Sequence, residues 1–311
     1  MKQNDIFVLL LLIIIFLIHF SFSFRDMAKT KISLNQNTCK DLKLIDFIAR
    51  AKGFDGVELK FKKIKAVLNR NSSLKDVMEL LEVYDLGVSS LFSLKDFSLC
   101  SERDYKIRIL PTFNQMIEYC NKLECDLLIV SPSNLDKSST GNEIPQWRIL
   151  NRTTKRLEEL SKKAQKSDLK IGFEDSPSDD CSIATLNGAK EVLNPLESRE
   201  NVGYVIDTYS LIKNDVDINQ LNDIKELIWM VRLSDLKYES KDELLGIVNS
   251  DRIFPGDGAF NWKEFVYLLQ KFKYRGKYSL ELSTSECPKK MYEKIYSLVD
   301  GIIYDYWRTS Y

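Results

Sequence analysis

Short apolar runs alternate with segments of helical periodicity from residue 31 onward. Eight of these runs have the length and the branched or aromatic side chains typical of strands: 31–35, 56–60, 86–94, 125–132, 169–175, 202–210, 228–235 and 277–284. The segments between them place apolar residues on one stripe, as in 40–53, which ends at a glycine, and 72–85, which opens with two serines. These are the end signals and the periodicity of amphipathic helices.

Strand followed by helix, repeated eight times, predicts an α/β protein with a single (β/α)8 TIM barrel over residues 27–311. An open dinucleotide-binding sheet would need a glycine-rich turn after the first strand, and "SLNQNTC" (33–39) contains no glycine. The pattern predicts no second domain. The longest connection, 236–261, precedes the last strand, and long connections of this kind often carry function.

An N-terminal hydrophobic segment, 1–26, precedes the barrel, and we expect it to form a helix. Its apolar run, 6–24, is about long enough to span a bilayer. Three alternatives stay open: a signal anchor, a cleaved signal peptide, or a leader upstream of a true start at Met27. The anchor is favoured and keeps the barrel on the cytoplasmic side, since lysines and arginines are more frequent after the run than before it. The other two imply a secreted or a soluble cytoplasmic protein.

Composition narrows the choice of partners and cofactors. Forty-five basic residues balance forty-five acidic ones, so no basic surface is expected to hold a nucleic acid. The single histidine, His19, lies in the apolar leader, which excludes histidine-dependent sites in the barrel. Six cysteines without a C-x-x-C pair predict free thiols and no thiolate metal site.

Polar residues follow or end most of the predicted strands, although strand interiors are apolar. In a barrel these strand ends share one mouth, where catalytic groups collect. The residues are Asn35, Glu58, Ser131, Glu174, Asp175, Asp207, Arg232, Asp235 and Glu281. The carboxylates on strands five, six and eight repel one another and need a cation among them, for which a divalent Mg or Mn ion is the usual solution.

Several long stretches together resemble the xylose isomerase-like TIM-barrel superfamily, which contains sugar and sugar-phosphate isomerases and epimerases and dehydroshikimate dehydratase-like lyases. The similarity covers roughly residues 31–306. It rests on the opening "ISLNQNTCKDLKLIDFIARAKGFDGVEL", the strand ends "GFED", "VIDTYS" and "VRLSD", and the closing "RIFPGDGAFNWKEFVYLLQKFKYRGKYSLEL".

The resemblance implies a Mn or Mg site whose ligands match Glu174, Asp207 and Glu281, with Arg232 at the position where the family usually has a histidine. Three hypotheses follow. Arg232 replaces the cation and no metal is bound; or Arg232 turns aside and Asp235 or water completes the metal site; or the charges form a structural cluster without chemistry.

By the same resemblance, Glu174 and Glu281 are the paired catalytic glutamates that remove and return a proton at a carbon next to a carbonyl. The expected substrate-binding residues are Asn35, Ser210, Arg232 and Arg252. Ser210 stands where the family often has a histidine, and Arg252 precedes a Pro-Gly-x-Gly turn. The expected function is a sugar or sugar-phosphate isomerase or epimerase acting on a small carbohydrate or polyhydroxylated acid. The alternatives are a dehydroshikimate dehydratase-like lyase and a non-catalytic carbohydrate-binding barrel.

Overall fold

The structure is a computed structural model that describes residues 32–68, 73–135, 144–283, 294–295 and 297–298. The predicted N-terminal hydrophobic helix in 1–26 lies outside the described residues. None of the helices in the described ranges combines the length and the hydrophobicity that crossing a bilayer requires.

Eight parallel strands close into a barrel in which each strand pairs with its neighbours in chain order and the last pairs with the first. The strands are β1 (Ile32–Asn35), β2 (Gly56–Lys60), β3 (Gly87–Leu94), β4 (Leu127–Val130), β5 (Lys170–Phe173), β6 (Val202–Asp207), β7 (Ile228–Leu233) and β8 (Lys277–Leu280). The predicted (β/α)8 TIM barrel is confirmed.

Helices connect the strands and surround the barrel. Within the described residues, the α-helices of four residues or more are Leu44–Arg50, Phe61–Leu68, Leu74–Val83, Leu110–Lys122, Gln146–Gln165, Leu186–Leu193, Thr208–Lys213 and Trp262–Lys271. A π-helical stretch, Tyr105–Ile109, leads into the fourth of these, and 3-10 helices at Ile218–Leu227 and Lys241–Gly246 lie before and after β7. The predicted helices in 40–53 and 72–85 are both present.

Five strands, β4 to β8, end two to four residues earlier than the sequence pattern predicts, and β6 passes directly into a helix. The run 202–210 was expected to be a strand throughout, but β6 stops at Asp207, and Thr208–Lys213 is helical. The cause is local, because Asp207 is the N-cap and its Oδ1 accepts a hydrogen bond from the main-chain N–H of Tyr209 at 3.0 Å.

The barrel interior has an apolar floor beneath a polar layer. Five apolar side chains pack together as a small buried cluster: Phe92, Leu127, Ile129, Val205 and Met230. Successive side chains of a strand point to opposite faces, so the residues two positions beyond Val205 and Met230 also face inward, nearer the mouth. Those residues are Asp207 and Arg232, which are paired in register between β6 and β7.

Candidate active site

Six polar strand-end residues form one buried layer at the carboxyl-terminal mouth of the barrel. They are Asn35, Glu58, Glu174, Asp207, Arg232 and Glu281, and each exposes at most 9% of its surface. Charged groups removed from water in this way require partners, because an unpaired buried charge is strongly unfavourable.

Arg232 lies at the centre of this layer. Its Nε and Nη2 donate to Oε1 and Oε2 of Glu58 at 3.1 and 2.9 Å, a bidentate pair. Its Nη1 donates to Oε1 of Glu174 at 2.5 Å and lies 3.4 Å from Oε2 of Glu281. The guanidinium carbon is 5.0 Å from the centroid of the Phe92 ring in the apolar floor. Three carboxyl groups from strands two, five and eight therefore share one guanidinium.

Glu58 is the partner to which the sequence analysis gave no role. Besides the two bonds from Arg232, Glu58 accepts hydrogen bonds from Nδ2 of Asn35 at 2.9 Å and from Oγ of Ser90 at 2.6 Å. The side chain of Asn35, which was predicted to bind substrate, is thus directed at a buried carboxylate. The sequence did contain a signal for this pairing, because a glutamate within an apolar strand is buried and needs a cation as its partner.

Asp207 is held by the second arginine of the site. Nη1 and Nη2 of Arg252 donate to the two oxygens of Asp207 at 2.8 and 2.5 Å. The remaining donors reach Ser234 Oγ at 2.9 Å and Asn249 Oδ1 at 2.7 Å, and the guanidinium carbon lies 4.3 Å from the ring centroid of Tyr209. For Arg252 to bind a substrate, as the sequence predicts, part of this network would have to open.

Glu174 and Glu281 are held less completely. Oε1 of Glu281 accepts a hydrogen bond from Nδ2 of Asn37 at 2.9 Å. Its Oε2 has no hydrogen-bond partner among the described residues and makes only the longer ion pair with Arg232. The side chain of Glu174 is 12% exposed, the highest value among the charged groups around Arg232. These two carboxyls are the groups best able to exchange a proton with a bound molecule.

The environment separates the pKa values of these two glutamates. Burial raises the pKa of Glu174 to about 8; the charge of Arg232 opposes the rise and that of Asp207 adds to it. Burial also acts on Glu281, but the charges of Arg252 and Arg232 outweigh it and leave its pKa below the usual value. At neutral pH Glu174 is mostly protonated and Glu281 is ionised, which is the condition for one to act as acid and the other as base.

The side chains at the mouth do not fit a divalent ion. The predicted ligands Glu174, Asp207 and Glu281 do line this mouth, but around guanidinium groups, which have no lone pair for a metal. Both oxygens of Asp207 are engaged by Arg252. Within the described part of the chain, no group of three or more His, Cys, Asp or Glu side chains is arranged to hold a metal. The cations that pair with these carboxylates are Arg232 and Arg252.

Asp235 anchors the long connection after β7 and lies outside the Arg232 cluster. Its carboxylate accepts hydrogen bonds from the indole Nε1 of Trp262 at 2.7 Å and from four main-chain N–H groups, those of Leu236, Gly256, Gly258 and Phe260. A Cβ at Gly258 would lie 2.3 Å from Oδ1 of Asp235, so only glycine allows this approach. Because these donors saturate the carboxylate, the geometry argues against the expectation that Asp235 completes a metal site.

Ser210 and Asp175 lie on the β5–β6 side of the same mouth. Both are buried, and neither Oγ of Ser210 nor Oδ2 of Asp175 makes a well-formed hydrogen bond to the described residues. Burial, followed by the charge of Asp207, raises the pKa of Asp175 to about 7. The nearby Ser210 side chain opposes the rise in the pKa of Asp175. Both side chains lie at the mouth, and the role of Ser210 in substrate binding stays a prediction.

The family model and the related proteins that match this chain point to one family. A family model described as xylose isomerase-like TIM barrel matches residues 45–297. Inosose isomerase of Halalkalibacterium halodurans is 24% identical over 255 residues, covering 81% of this chain and 85% of the relative. The 3-dehydroshikimate dehydratase of Pseudomonas aeruginosa is 28% identical over 235 residues, covering 75% of this chain and 34% of the relative.

Solved structures share the fold at low identity. The IolI protein with a binding zinc atom superposes with a TM-score of 0.72 at 23% identity, covering 89% of this chain and 98% of that one. A 3-keto-D-glucoside 4-epimerase from E. coli gives a TM-score of 0.65 at 15% identity, covering 87% and 99%. At these identities the similarity extends to the barrel and not to individual site residues.

Proposed function

Because the chain belongs to the xylose isomerase-like TIM-barrel family, we propose that it isomerises or epimerises a small polyhydroxylated carbonyl compound. The names of its relatives, inosose isomerase and 3-keto-D-glucoside 4-epimerase, support an enzyme of this type. The observation that carries the proposal is the pair of Glu174 and Glu281, which flank Nη1 of Arg232 and have pKa values shifted in opposite directions.

The two glutamates divide the proton transfers. Ionised Glu281 removes the proton from the carbon next to the carbonyl, and protonated Glu174 gives a proton to the carbonyl oxygen, which forms an enediol. Glu281 then returns its proton to the former carbonyl carbon, while Glu174 takes the proton of the neighbouring hydroxyl. The carbonyl has moved by one carbon, and both glutamates are back in their starting states.

Arg232 supplies the positive charge that this reaction needs. Negative charge develops on the substrate oxygens in the transition state, and a fixed donor in a site closed to water stabilises it strongly. Glu58 occupies Nε and Nη2 of Arg232, which leaves Nη1 directed at the two catalytic carboxyls. Arg232 stands at the position where the family usually has a metal-binding histidine, so its guanidinium takes the place of the metal as the cation.

Solvent deuterium incorporation tests the proposal. The protein is incubated in D2O with inososes, ketoses and keto-glucosides, and the products are analysed by NMR. The expected result is deuterium at a carbon next to the carbonyl of one substrate class, with a loss of at least about a hundredfold in Glu281→Gln. Exchange that continues at the wild-type rate in Glu281→Gln would refute the assigned base. Ligand binding without any exchange would favour a carbohydrate-binding barrel.

Dehydration is the second candidate, favoured by the neutral state of Glu174. After Glu281 removes the α-proton, protonated Glu174 could give its proton to a departing β-hydroxyl, so that water leaves and a double bond forms. The 3-dehydroshikimate dehydratase among the relatives supports this alternative. Mass spectrometry separates the two reactions, because isomerisation leaves the substrate mass unchanged and dehydration lowers it by one water.

A further inference from the structure

The lysine that ends β2, Lys60, lies next to the proposed catalytic base. Its Nζ donates to Oδ1 of Asn37 at 2.8 Å, and Nδ2 of the same asparagine donates to Glu281 at 2.9 Å. The main-chain N–H of Lys60 is fixed by Oε1 of Gln36 at 2.7 Å. One amide side chain therefore separates this ammonium group from the carboxylate that would remove the substrate proton.

Lys60 shares the β2–β3 side of the mouth with Lys95, which follows β3. Neither lysine forms an ion pair with a carboxylate among the residues that the structure describes. Burial and then the charge of Lys95 lower the pKa of Lys60. The Lys95 side chain is exposed, and its charge also acts on the thiol of Cys181, in the connection after β5.

The charges around the mouth are thus unevenly distributed. Arg232 neutralises Glu58, and Arg252 neutralises Asp207, each in a bidentate pair. On the β2–β3 side the charge of Lys95, followed by those of Lys63 and Lys62, acts against the ammonium of Lys60, whereas the charge of Glu281 favours it. The Nε2 donor of Gln36, beside Lys60, is buried and has no hydrogen-bond partner among the described residues. Free cationic and neutral donors collected at one place are what an anion requires.

We propose that Lys60 and Lys95 form a subsite for an anionic group of the substrate, a carboxylate or a phosphate, which rests on the proposed reaction at the same mouth. The anion enters between the two ammonium groups and removes their mutual repulsion. Its position beside Asn37 directs the reacting carbon towards Glu281 and Arg232. The substrate class is then a sugar acid or a sugar phosphate, and a neutral polyol lacks this contact.

Direct anion binding tests the subsite without any need for turnover. Inorganic phosphate is followed by ³¹P line broadening and acetate by saturation transfer, on the full chain. Wild type should bind at least one of the two saturably, and Lys60→Met and Lys95→Met should each weaken binding about tenfold or more. Lys60→Arg keeps the charge and should retain binding. Lys263→Met, an exposed lysine on the outer helix Trp262–Lys271, is the matched control and should bind as wild type does.

The outcomes separate the two sources of the anion and the two proposals. Binding of phosphate alone assigns a phosphate ester, and binding of acetate alone assigns an acid. No saturable binding of either, or equal binding by wild type, Lys60→Met and Lys95→Met, overturns the subsite. Deuterium exchange into a neutral inosose would keep the isomerase proposal even then, whereas anion binding without any exchange would keep the subsite and reject the isomerase.

Discussion

Among single residues, Arg232 has the largest influence on the site. A guanidinium has five N–H donors in a planar fork, and here three of its nitrogens reach carboxyl groups. The bidentate bond to Glu58 fixes its orientation, and the contact with Phe92 closes the apolar side. Lysine could not reproduce this arrangement, because its single ammonium cannot bond to Glu58 through two nitrogens and reach Glu174 as well.

The Arg232–Glu58 pair predicts a specific pattern of stability. Arg232→Met should lower the free energy of unfolding by about 3–5 kcal/mol, since Glu58 would be left fully buried without its cation. The double variant Arg232→Met/Glu58→Gln should recover at least about 1 kcal/mol, because the stranded charge is gone. Urea unfolding measures both variants. Arg275→Met, at an exposed arginine, is the control; a double variant less stable than Arg232→Met would contradict the pairing.

Glu174 predicts a pH dependence of stability. Its pKa is about 8 in the folded protein against 4.5 for an unperturbed glutamate, so the folded state binds more protons between these values. The contribution of Glu174 is therefore fully present below about pH 4.5 and is lost as pH rises through about 8. Unfolding free energies measured from pH 5 to 9 should fall less steeply in Glu174→Gln than in wild type. Equal slopes would show that Glu174 is ionised throughout.

Strand ends could be located from the sequence, whereas the partners of each side chain could not, because those partners are far away in the chain. The location of Glu174, Asp207, Arg232 and Glu281 at one mouth could be predicted from strand ends alone, because all carboxyl ends of a parallel barrel meet there; their roles came from the family resemblance and stay predictions. The partner of Arg232 could not, since Glu58 is 174 positions away in the chain. The engagement of Arg252 by Asp207 was equally out of reach, because it depends on how the connection 236–261 folds back over the mouth.

At the scale of the elements, the connection 236–261 is anchored at the mouth by hydrogen bonds to one side chain, that of Asp235. Asp235 follows β7 and collects main-chain N–H groups from Gly256 and Gly258, and the isolated bridge between Asp235 and Ile253 adds two backbone bonds. This places Arg252 beside Asp207. The early end of β6 has a similar cause, because Asp207 caps the following helix, and strand propensity alone gives no warning of a cap.

Removing the anchor should therefore affect the whole connection. Asp235→Ala leaves four main-chain N–H groups and the Trp262 indole without an acceptor, at about 1–3 kcal/mol for each group that water cannot reach. We expect a loss of at least about 3 kcal/mol in the free energy of unfolding, measured in urea. Asp257→Ala, at a half-exposed aspartate of the same connection, should change it by less than about 1 kcal/mol. Equal effects would reject the anchor role.

Across the whole molecule, the barrel followed from periodicity because its strands are buried on both faces and therefore contrast with the amphipathic helices. All eight predicted strands are present, and their bounds shift by a few residues at most. The hydrophobic periodicity could not predict which charged side chains at the mouth pair with one another. Two arginines neutralise the carboxylates of β2 and β6, while the lysines at the ends of β2 and β3 have no such partner among the described residues.

We propose that Arg232 supplies the cation at a mouth where the family resemblance implies a metal. The most direct test is elemental analysis of the full chain, purified after expression with manganese, magnesium and zinc available, alongside Arg232→His. We expect far less than one tightly held divalent ion per wild-type chain, because Arg232 and Arg252 occupy the carboxylates. About one ion per wild-type chain would contradict it and would mean that Arg232 moves aside to admit a carboxylate-bound metal.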